Sequence, residues 1–377
     1  MRVVCMIDSL NSGGAQRQMV MLSTQLKTQG ADVHLLTYHE KNFFRDQFDQ
    51  AGIPVHLAPS TQKLKRFFQI RKKIRSLKPD VVVAYLKGPG FVAELSGLPW
   101  RKYKVIVSER STEYSGKTPE VARRLFFHRL ADAVVCNAET QTRFIKEHAP
   151  NLSERTVTIR NAVDLNTFTP ANHPIEAKRL RLLALGRYLP LKNPQGLYQA
   201  FKLAKQQKPE LDLSVDWFGN FFFKDDQPTP KSKLYLDLKE EVAADGYSED
   251  FRMHPPTSDV VEHYQQADAV CHPSLWEACP NVVCEALACG KPVLAGRVGD
   301  TEQLMQDGVT GFLFDPKSPE RMAQAFLRFS DLSTQAREAM GNAARLRAEE
   351  LFSIQRFSAE YIDLFHRLLN RKGEIHG

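Results

Sequence analysis

The chain is 377 residues long, 42% hydrophobic and 25% charged, with a formal net charge of +7. That length exceeds one ordinary hydrophobic core and suits two domains, and the composition excludes a disordered chain or a coiled coil. No apolar run approaches the roughly 20 residues of a spanning helix, and the positive balance permits an anionic partner without naming one.

In chain order, Val3–Ile7 reads as a first strand. Asp8 interrupts it and no cleavage region follows, so a signal peptide is not expected and the chain is expected in the cytoplasm. Gly13 and Gly14 punctuate, Ala15–Leu26 has helical spacing closed by Gly30, and Val33–Thr37 is the next strand. The run Lys63–Lys78, KLKRFFQIRKKIRSLK, sets Leu64, Phe67, Phe68, Ile74 and Leu77 on one helical face among cations. Two readings of it stay open: a helix lying on an anionic membrane, or an ordinary domain helix with its apolar face inward. Strands follow at Val81–Tyr85, Val105–Val107, Ala133–Asn137 and Thr156–Ile159. The polar, proline-bearing stretch Thr169–Pro174 is the expected boundary, giving domains 1–172 and 173–352.

The alternation then restarts with Leu180–Gly186, a helix at Gln195–Gln207, and strands at Leu211–Phe218, Phe251–Met253, Ala269–His272, Pro292–Ala295 and Gly311–Phe314. A last helix, within 353–377, is expected to pack back on the N-terminal domain. Strands alternating with helices imply parallel βαβ units: an α/β chain of two doubly wound sheets with a cleft at their carboxyl ends. The six cysteines form no CxxC pair and are expected as reduced structural thiols, and five-residue steps place Cys279, Cys284 and Cys289 off a common helical face.

The chemistry gathers in three places. In SLWEACPNVVCEALACGKPV, a strand ending at His272 leads through a loop to a helix at Asn281–Cys289, with Asn281 as the expected N-cap. A helix start carries unpaired N–H groups and positive dipole, an anion site suited to phosphate. Glu277 lies on the loop before it and Glu285 about one turn inside, so the pair can hold two hydroxyl-bearing groups either side of a diphosphate. Second, Arg187 and Lys192 flank the loop after Gly186, where cations would stabilise a departing diphosphate. Third, Gly13 and Gly14 let the backbone approach a ligand closely, although G-x-G-x-x-G is absent.

Together these segments resemble the signature of retaining GT-B glycosyltransferases of family 4, in which E-x7-E follows a strand and G-R-x-x-x-x-K precedes a helix. The resemblance implies two Rossmann-like domains facing each other across a cleft, the first for the acceptor and the second for a nucleotide-sugar donor. It implies that Glu277 contacts hydroxyls of the transferred sugar and Glu285 the nucleotide ribose. Backbone N–H groups at Asn281 and Val282 would meet the phosphates, Arg187 and Lys192 would clamp them, and Gly13 and Gly14 would border them from the other domain. Where many relatives place a His after the strand at Val105–Val107, this chain reads Ser108-Glu109-Arg110-Ser111, so Arg110 is the substitute acceptor or sugar contact; Glu302 is a further one.

No D-x-D pair is present to hold a divalent cation on a diphosphate, so neither a metal nor a cofactor is expected. The expected reaction moves a hexose or N-acetylhexosamine, from UDP above other nucleotides, to a glycan or lipid-linked glycan acceptor in surface-polysaccharide or lipopolysaccharide biosynthesis. The expected location is the cytoplasm, peripheral on the inner membrane face; nucleic acid is not an expected partner, since no recognition module accompanies the charge. A GT-B-like sugar-nucleotide epimerase and a non-catalytic sugar-nucleotide-binding subunit are the rival readings.

Overall fold

The computed structural model describes residues 1–110, 118–171, 179–224 and 227–370. The chain divides into two compact units, Met1–Ala162 with Phe352–Gly377, and Val163–Leu351. The expected boundary at 172/173, Ser111 and the chain end from 371 lie outside the described residues.

The first unit is built on a seven-stranded sheet. Its strands are β1 (Arg2–Met6), β2 (Asp32–Thr37), β3 (Val55–Leu57), β4 (Val81–Tyr85), β5 (Lys104–Glu109), β6 (Ala133–Cys136) and β7 (Thr156–Thr158). They pair in parallel in the order β3-β2-β1-β4-β5-β6-β7, the doubly wound pattern that starts at the centre and reverses once. Helices cover both faces, so β1 and β4 are apolar and buried nearly throughout instead of alternating. The edge strand β3 escaped the sequence reading because three residues after Pro54 are too short to show a period.

The helix Ile354–Asn370 closes this unit. Its buried residues Phe357, Tyr361, Leu364, Phe365 and Leu368 recur at helical spacing. They join the same core as Met19, Leu22 and Leu26 of the helix Gly14–Thr28. Tyr85 at the end of β4 donates its hydroxyl to Tyr361 at 3.0 Å, satisfying two buried phenols with each other. Buried Gln18 uses both ends of its amide, donating to the Ala162 carbonyl at 2.7 Å and accepting from its N–H at 2.9 Å, which fixes the chain beyond β7.

The basic segment is helical over Lys63–Leu77, but its inward face differs from the expected one. Ile70 and Ile74 are buried, whereas Leu64 and Phe68 are 77% and 61% exposed. At 100° per residue Leu64 and Phe68 lie about 80° or more around from the Ile70–Ile74 line, so one face cannot hold all five residues.

The second unit carries a six-stranded sheet: β8 (Leu180–Leu185), β9 (Leu213–Phe218), β10 (Phe251–His254), β11 (Ala269–His272), β12 (Val293–Gly296) and β13 (Gly311–Phe314). The order is β10-β9-β8-β11-β12-β13, again all parallel. Trp217, Phe201, Phe326 and Phe329 fill its core, contributed by β9 and the helices Pro194–Gln207 and Pro319–Ser330. Asn193 starts the first of these helices: it takes the left-handed conformation (φ 58°), caps the Gly196 N–H at 3.2 Å and precedes Pro194 at the first helical position.

Tyr361→Ala should remove roughly 3–5 kcal/mol, through the lost ring and the lost hydrogen bond to Tyr85. Hydrogen exchange should then accelerate in β1 and β4 and stay slow in β8 and β9; equal loss in both sets would contradict the division into units.

Candidate functional site

In the second unit the carboxyl ends of β8, β11 and β12 lie side by side, and the loop after β11 is held by both neighbours. On the β8 side, the Leu275 N–H donates to the Leu191 carbonyl at 2.9 Å, and Asn193 Nδ2 reaches the Pro273 carbonyl at 3.2 Å and the Pro316 carbonyl at 2.8 Å. Lys192 completes the contact with an ion pair from its Nζ to Glu277 Oε1. Its aliphatic stem lies against Gly186, where an added Cβ would be 3.5 Å from Lys192 Cγ and Cδ.

On the β12 side, Gly299 has φ +53°, and a Cβ there would stand 1.8 Å from the Glu277 carbonyl oxygen and 2.7 Å from that of Ala278. Only glycine permits that approach. The Asp300 N–H donates to the Ala278 carbonyl at 3.0 Å, and Thr301 Oγ1 donates to the Gly296 carbonyl at 2.8 Å, so the turn is fixed to the end of its own strand. Glu277 is thereby gripped through its side chain from one strand and its backbone from the other, and is only 9% exposed.

The helix Asn281–Ala288 begins where this loop ends. Its N-cap is Pro280 and not Asn281, which is the first helical residue: the Pro280 carbonyl accepts from Val283 and Cys284 at 3.1 and 3.2 Å. Pro280 has no side-chain acceptor, so the N-cap residue itself supplies no side-chain cap to the first turn, which begins with Asn281 and Val282. One turn in, Glu285 Oε2 accepts the hydroxyl of fully buried Tyr264 at 3.0 Å, which fixes the carboxylate. Arg187 is exposed and has no side-chain partner among the described residues. The structure therefore brings Glu277, Lys192, Asn281, Val282 and Glu285 to one edge of the second unit's sheet, with Arg187 on the loop that carries Lys192.

Glu302 stands differently. It pairs with Arg297 at 2.6 Å, Arg297 also meets Asp307 at 2.9 Å, and the carboxylate is 58% exposed, so the pair contributes about 0–1 kcal/mol. Two buried polar groups beneath the loop carried no sequence signal. His272, the last residue of β11, is pushed down to about 3, by burial first and Lys192 second, so it is neutral at pH 7. Neither its Nε2 nor Ser274 Oγ has a hydrogen-bond partner among the described residues. The sulfurs of Cys279 and Cys284 lie 4.0 Å apart. The expectation that these two thiols diverge is corrected: Cys279 precedes the helix, so helical spacing does not govern it. All six cysteines are free and buried. Among the described residues no cluster of three His, Cys, Asp or Glu could hold a metal ion, and no helix is long and apolar enough to cross a membrane.

In the first unit, Gly13 is extended (φ −179°) and starts the helix Gly14–Thr28 at the carboxyl end of β1. Near the same sheet edge lies a pocket of roughly 460 Å³, lined by Asp8, Tyr38, Leu86, Lys87, Gly88, Pro89, Glu109 and Arg110. Leu86 takes φ 75°, a strained conformation of the kind that collects at ligand sites. Arg110 lines this pocket with much of its guanidinium engaged: Nε donates to Ser108 Oγ at 3.0 Å, Nη1 to Asn161 Oδ1 at 2.6 Å, and the group lies 3.9 Å from the Tyr85 ring centre. Beside it Glu109 is buried in an ion cluster with His128, Glu94 and Arg124, residues the sequence offered no reason to group. His128 is pushed up to about 9: burial opposes its charge, and Glu109 and Glu94 outweigh burial.

Two tests follow from this geometry. Gly299→Ala should displace the Glu277 loop and weaken any ligand bound there at least tenfold, while the core of the second unit stays protected from exchange; unchanged affinity would contradict the clamp. Because the folded pKa of His128 exceeds its ordinary value of about 6.5, its stabilising contribution is complete below that value and is lost as pH rises through about 9. The His128→Gln variant should therefore lack that alkaline fall in denaturation midpoint.

The Glycosyltransferase Family 4 model matches residues 12–167, and the Glycosyl transferases group 1 model matches residues 166–347. A D-inositol 3-phosphate glycosyltransferase of Arthrobacter sp. is 33% identical over 223 residues, covering 57% of this chain and 50% of that protein. One from Pseudarthrobacter chlorophenolicus is 28% identical over 327 residues, covering 80% and 74%. The chain thus spans about half the length of the first of these relatives and about three quarters of the second. Among solved structures, a glycosyltransferase of Rickettsia africae superposes with a TM-score of 0.82 at 18% identity, over 98% of both chains. HepE of Anabaena, solved with UDP, superposes at 0.83 with 18% identity, over 97% of this chain and 100% of that one. The chain thus carries a Glycosyltransferase Family 4 match followed directly by a Glycosyl transferases group 1 match, on the two Rossmann-like folds of the GT-B class.

Proposed function

We propose that the chain is a retaining, metal-independent transferase that moves a hexose or N-acetylhexosamine from a nucleoside diphosphate donor to a hydroxyl of a glycan or lipid-linked glycan. The observation that carries this reading is the Lys192–Glu277 pair beside the start of the helix Asn281–Ala288. A diphosphate needs positive charge that strengthens as the glycosidic bond breaks, and fixed cations with a helix terminus supply it without reorganisation. Lys192, exposed Arg187 and the first-turn N–H groups fill that role, and no divalent ion is then required. Donor binding would turn Lys192 to the phosphate and Glu277 to the sugar hydroxyls, while Tyr264 holds Glu285 for the ribose. UDP is the favoured nucleotide, since HepE, of the same fold, was solved with UDP and with UDP-glucose.

In this reading the departing diphosphate accepts the acceptor's proton on the face from which it leaves, so configuration is retained without a protein nucleophile. The acceptor occupies the pocket of the first unit, where Arg110 contributes positive charge and the Gly13–Gly14 turn stands at the same sheet edge. Surface-polysaccharide or lipopolysaccharide synthesis is the favoured setting. A second acceptor, D-inositol 3-phosphate, is favoured by what the relatives are named for.

The helix Lys63–Leu77 supports a peripheral place on the inner membrane face. Leu64 and Phe68 are exposed on a helix that carries Lys63, Lys65, Arg66, Arg71, Lys72, Lys73 and Arg75. Each such cation near an anionic surface contributes about 1 kcal/mol, and the exposed apolar pair would enter the interface.

A screen of UDP- and GDP-sugars, reading nucleoside diphosphate release in a chelator, tests the reaction with membrane lipid extract or D-inositol 3-phosphate as acceptor. Acceptor-dependent release of UDP is expected, with the anomeric configuration kept in the product by NMR; inversion, or a changed donor sugar without acceptor, would overturn the reading. Glu277→Ala and Lys192→Ala should each cost on the order of 10²–10³-fold while remaining folded, and near-normal rates in both would refute the site. The chain should sediment with phosphatidylglycerol vesicles and not with phosphatidylcholine vesicles. Leu64→Ser with Phe68→Ser should release it, and binding that ignores lipid charge and these residues would remove the membrane role.

A further inference from the structure

We propose that Glu109 is the carboxylate that takes a hydroxyl of a neutral polyhydroxylated ring in the pocket of the first unit, and that His128, clamped by Glu94, is the positioning residue that keeps Glu109 in place. This rests on the reading of that pocket as the acceptor's and names the chemical class it selects.

The four charged groups come from four elements. Glu94 lies on the helix Lys87–Ser96, Glu109 ends β5, Arg124 lies on the helix Pro119–Phe127, and His128 opens the turn His128–Leu130. The imidazole is sandwiched between carboxylates: Nδ1 is 2.6 Å from Glu94 Oε1 and Nε2 is 3.0 Å from Glu109 Oε1. Ionised carboxylates only accept hydrogen bonds, so two such partners require both ring nitrogens to donate. Arg124 Nε stands 3.4 Å from the same Glu109 oxygen. Glu94, Glu109 and His128 are each under 5% exposed. Buried charges cost several kcal/mol each in desolvation, and apolar residues would fill a core with less penalty. One member of this costly cluster, Glu109, also lines the pocket, where its orientation acts on whatever binds.

The lining favours a neutral ligand rich in hydroxyls over a bare anion. Asp8 and Glu109 bring two carboxylates to the wall, while the Arg110 guanidinium donates to Ser108 and Asn161 through Nε and Nη1 and keeps Nη2 without a hydrogen-bond partner among the described residues. Hydroxyls can donate to the carboxylates and accept from Lys87, and the volume falls within the range of small-molecule sites. Gly88 supports this shape: a Cβ there would meet the Tyr38 hydroxyl at 2.6 Å.

The groups facing His128 are Glu94, Glu109 and Arg124, with Arg101 acting on Glu94 and Cys136 beside Glu109. Burial pushes the Cys136 thiol far up, so it does not titrate near neutrality. The pH step expected in ligand affinity therefore belongs to His128, above neutrality, where loss of one proton turns a donor toward a carboxylate into an unfavourable acceptor.

The test uses the full chain with myo-inositol and N-acetylglucosamine as probes, read by calorimetry or saturation-transfer NMR, and UDP as a separate probe of the donor half. Wild type should bind at least one neutral ring. Glu109→Gln should lose roughly tenfold or more in that affinity, and His128→Gln should lose part of it, with UDP affinity unchanged in both. Wild-type affinity for the ring should fall as pH passes about 9, and His128→Gln should lack that step. Equal ring affinity in wild type and Glu109→Gln overturns the inference, as does wild type binding UDP and neither ring. So does His128→Gln losing UDP and ring affinity together with its melting point, which marks a structural role. Failure of wild type to bind UDP, with ring binding still dependent on Glu109, overturns the donor reading alone. Should His128→Gln fail to fold, the isosteric Glu109→Gln still decides.

Discussion

The loop that follows β11 depends on being a middle strand's loop. Parallel order sets β8 on one side of β11 and β12 on the other, so residues far apart in sequence close on the same eight residues. Lys192 reaches Glu277 from 85 positions away, and Gly299 presses on the Glu277 carbonyl from the opposite flank. The helix that starts at Asn281 inherits its direction from that loop, and with it the aim of its first-turn N–H groups. A buried carboxylate next to a lysine is costly as a purely structural device. As a site that exchanges its internal ion pair for contacts to an anionic ligand bearing hydroxyls, the same pair is pre-organised and loses little on binding.

The first unit uses charge in another way. Its sheet edge holds a pocket whose wall includes one end of the Glu94–His128–Glu109–Arg124 cluster. Fixing a carboxylate from behind with an imidazole that two carboxylates keep charged gives it one orientation, at a desolvation cost a plain core would avoid. Arg110, next in sequence to Glu109, is held by Ser108, Asn161 and the Tyr85 ring, so adjacent residues of opposite charge are each bound into the frame of the pocket.

Much of this was legible in the sequence because parallel strands buried on both faces leave continuous apolar runs. Val81–Tyr85, Ala269–His272 and Gly311–Phe314 coincide with the observed strands residue for residue. Arg187 and Glu277 could be placed at the sheet edge from sequence because each follows a strand end within a few positions, which is where a doubly wound sheet places ligand contacts. What sequence could not show is contact at long range. The left-handed Gly299 reads as any turn glycine until its approach to Glu277 is seen. Glu94 and His128 sit 34 residues apart with no periodic relation, and only the folding of the helix Lys87–Ser96 and the turn His128–Leu130 beside the end of β5 unites them with Glu109. The helix Lys63–Leu77 shows the reverse error: five apolar residues suggested one face, and rotation by 100° per residue leaves Leu64 and Phe68 outside it.

A crystal structure of the chain with UDP, grown in a chelator, decides whether the clamped loop and helix start of the second unit hold a nucleoside diphosphate. The diphosphate should lie on Lys192, Arg187 and the first-turn N–H groups of the helix Asn281–Ala288, with the ribose on Glu285. UDP bound elsewhere, or bound there with Lys192 still paired to Glu277 and no contact to the phosphates, would contradict it.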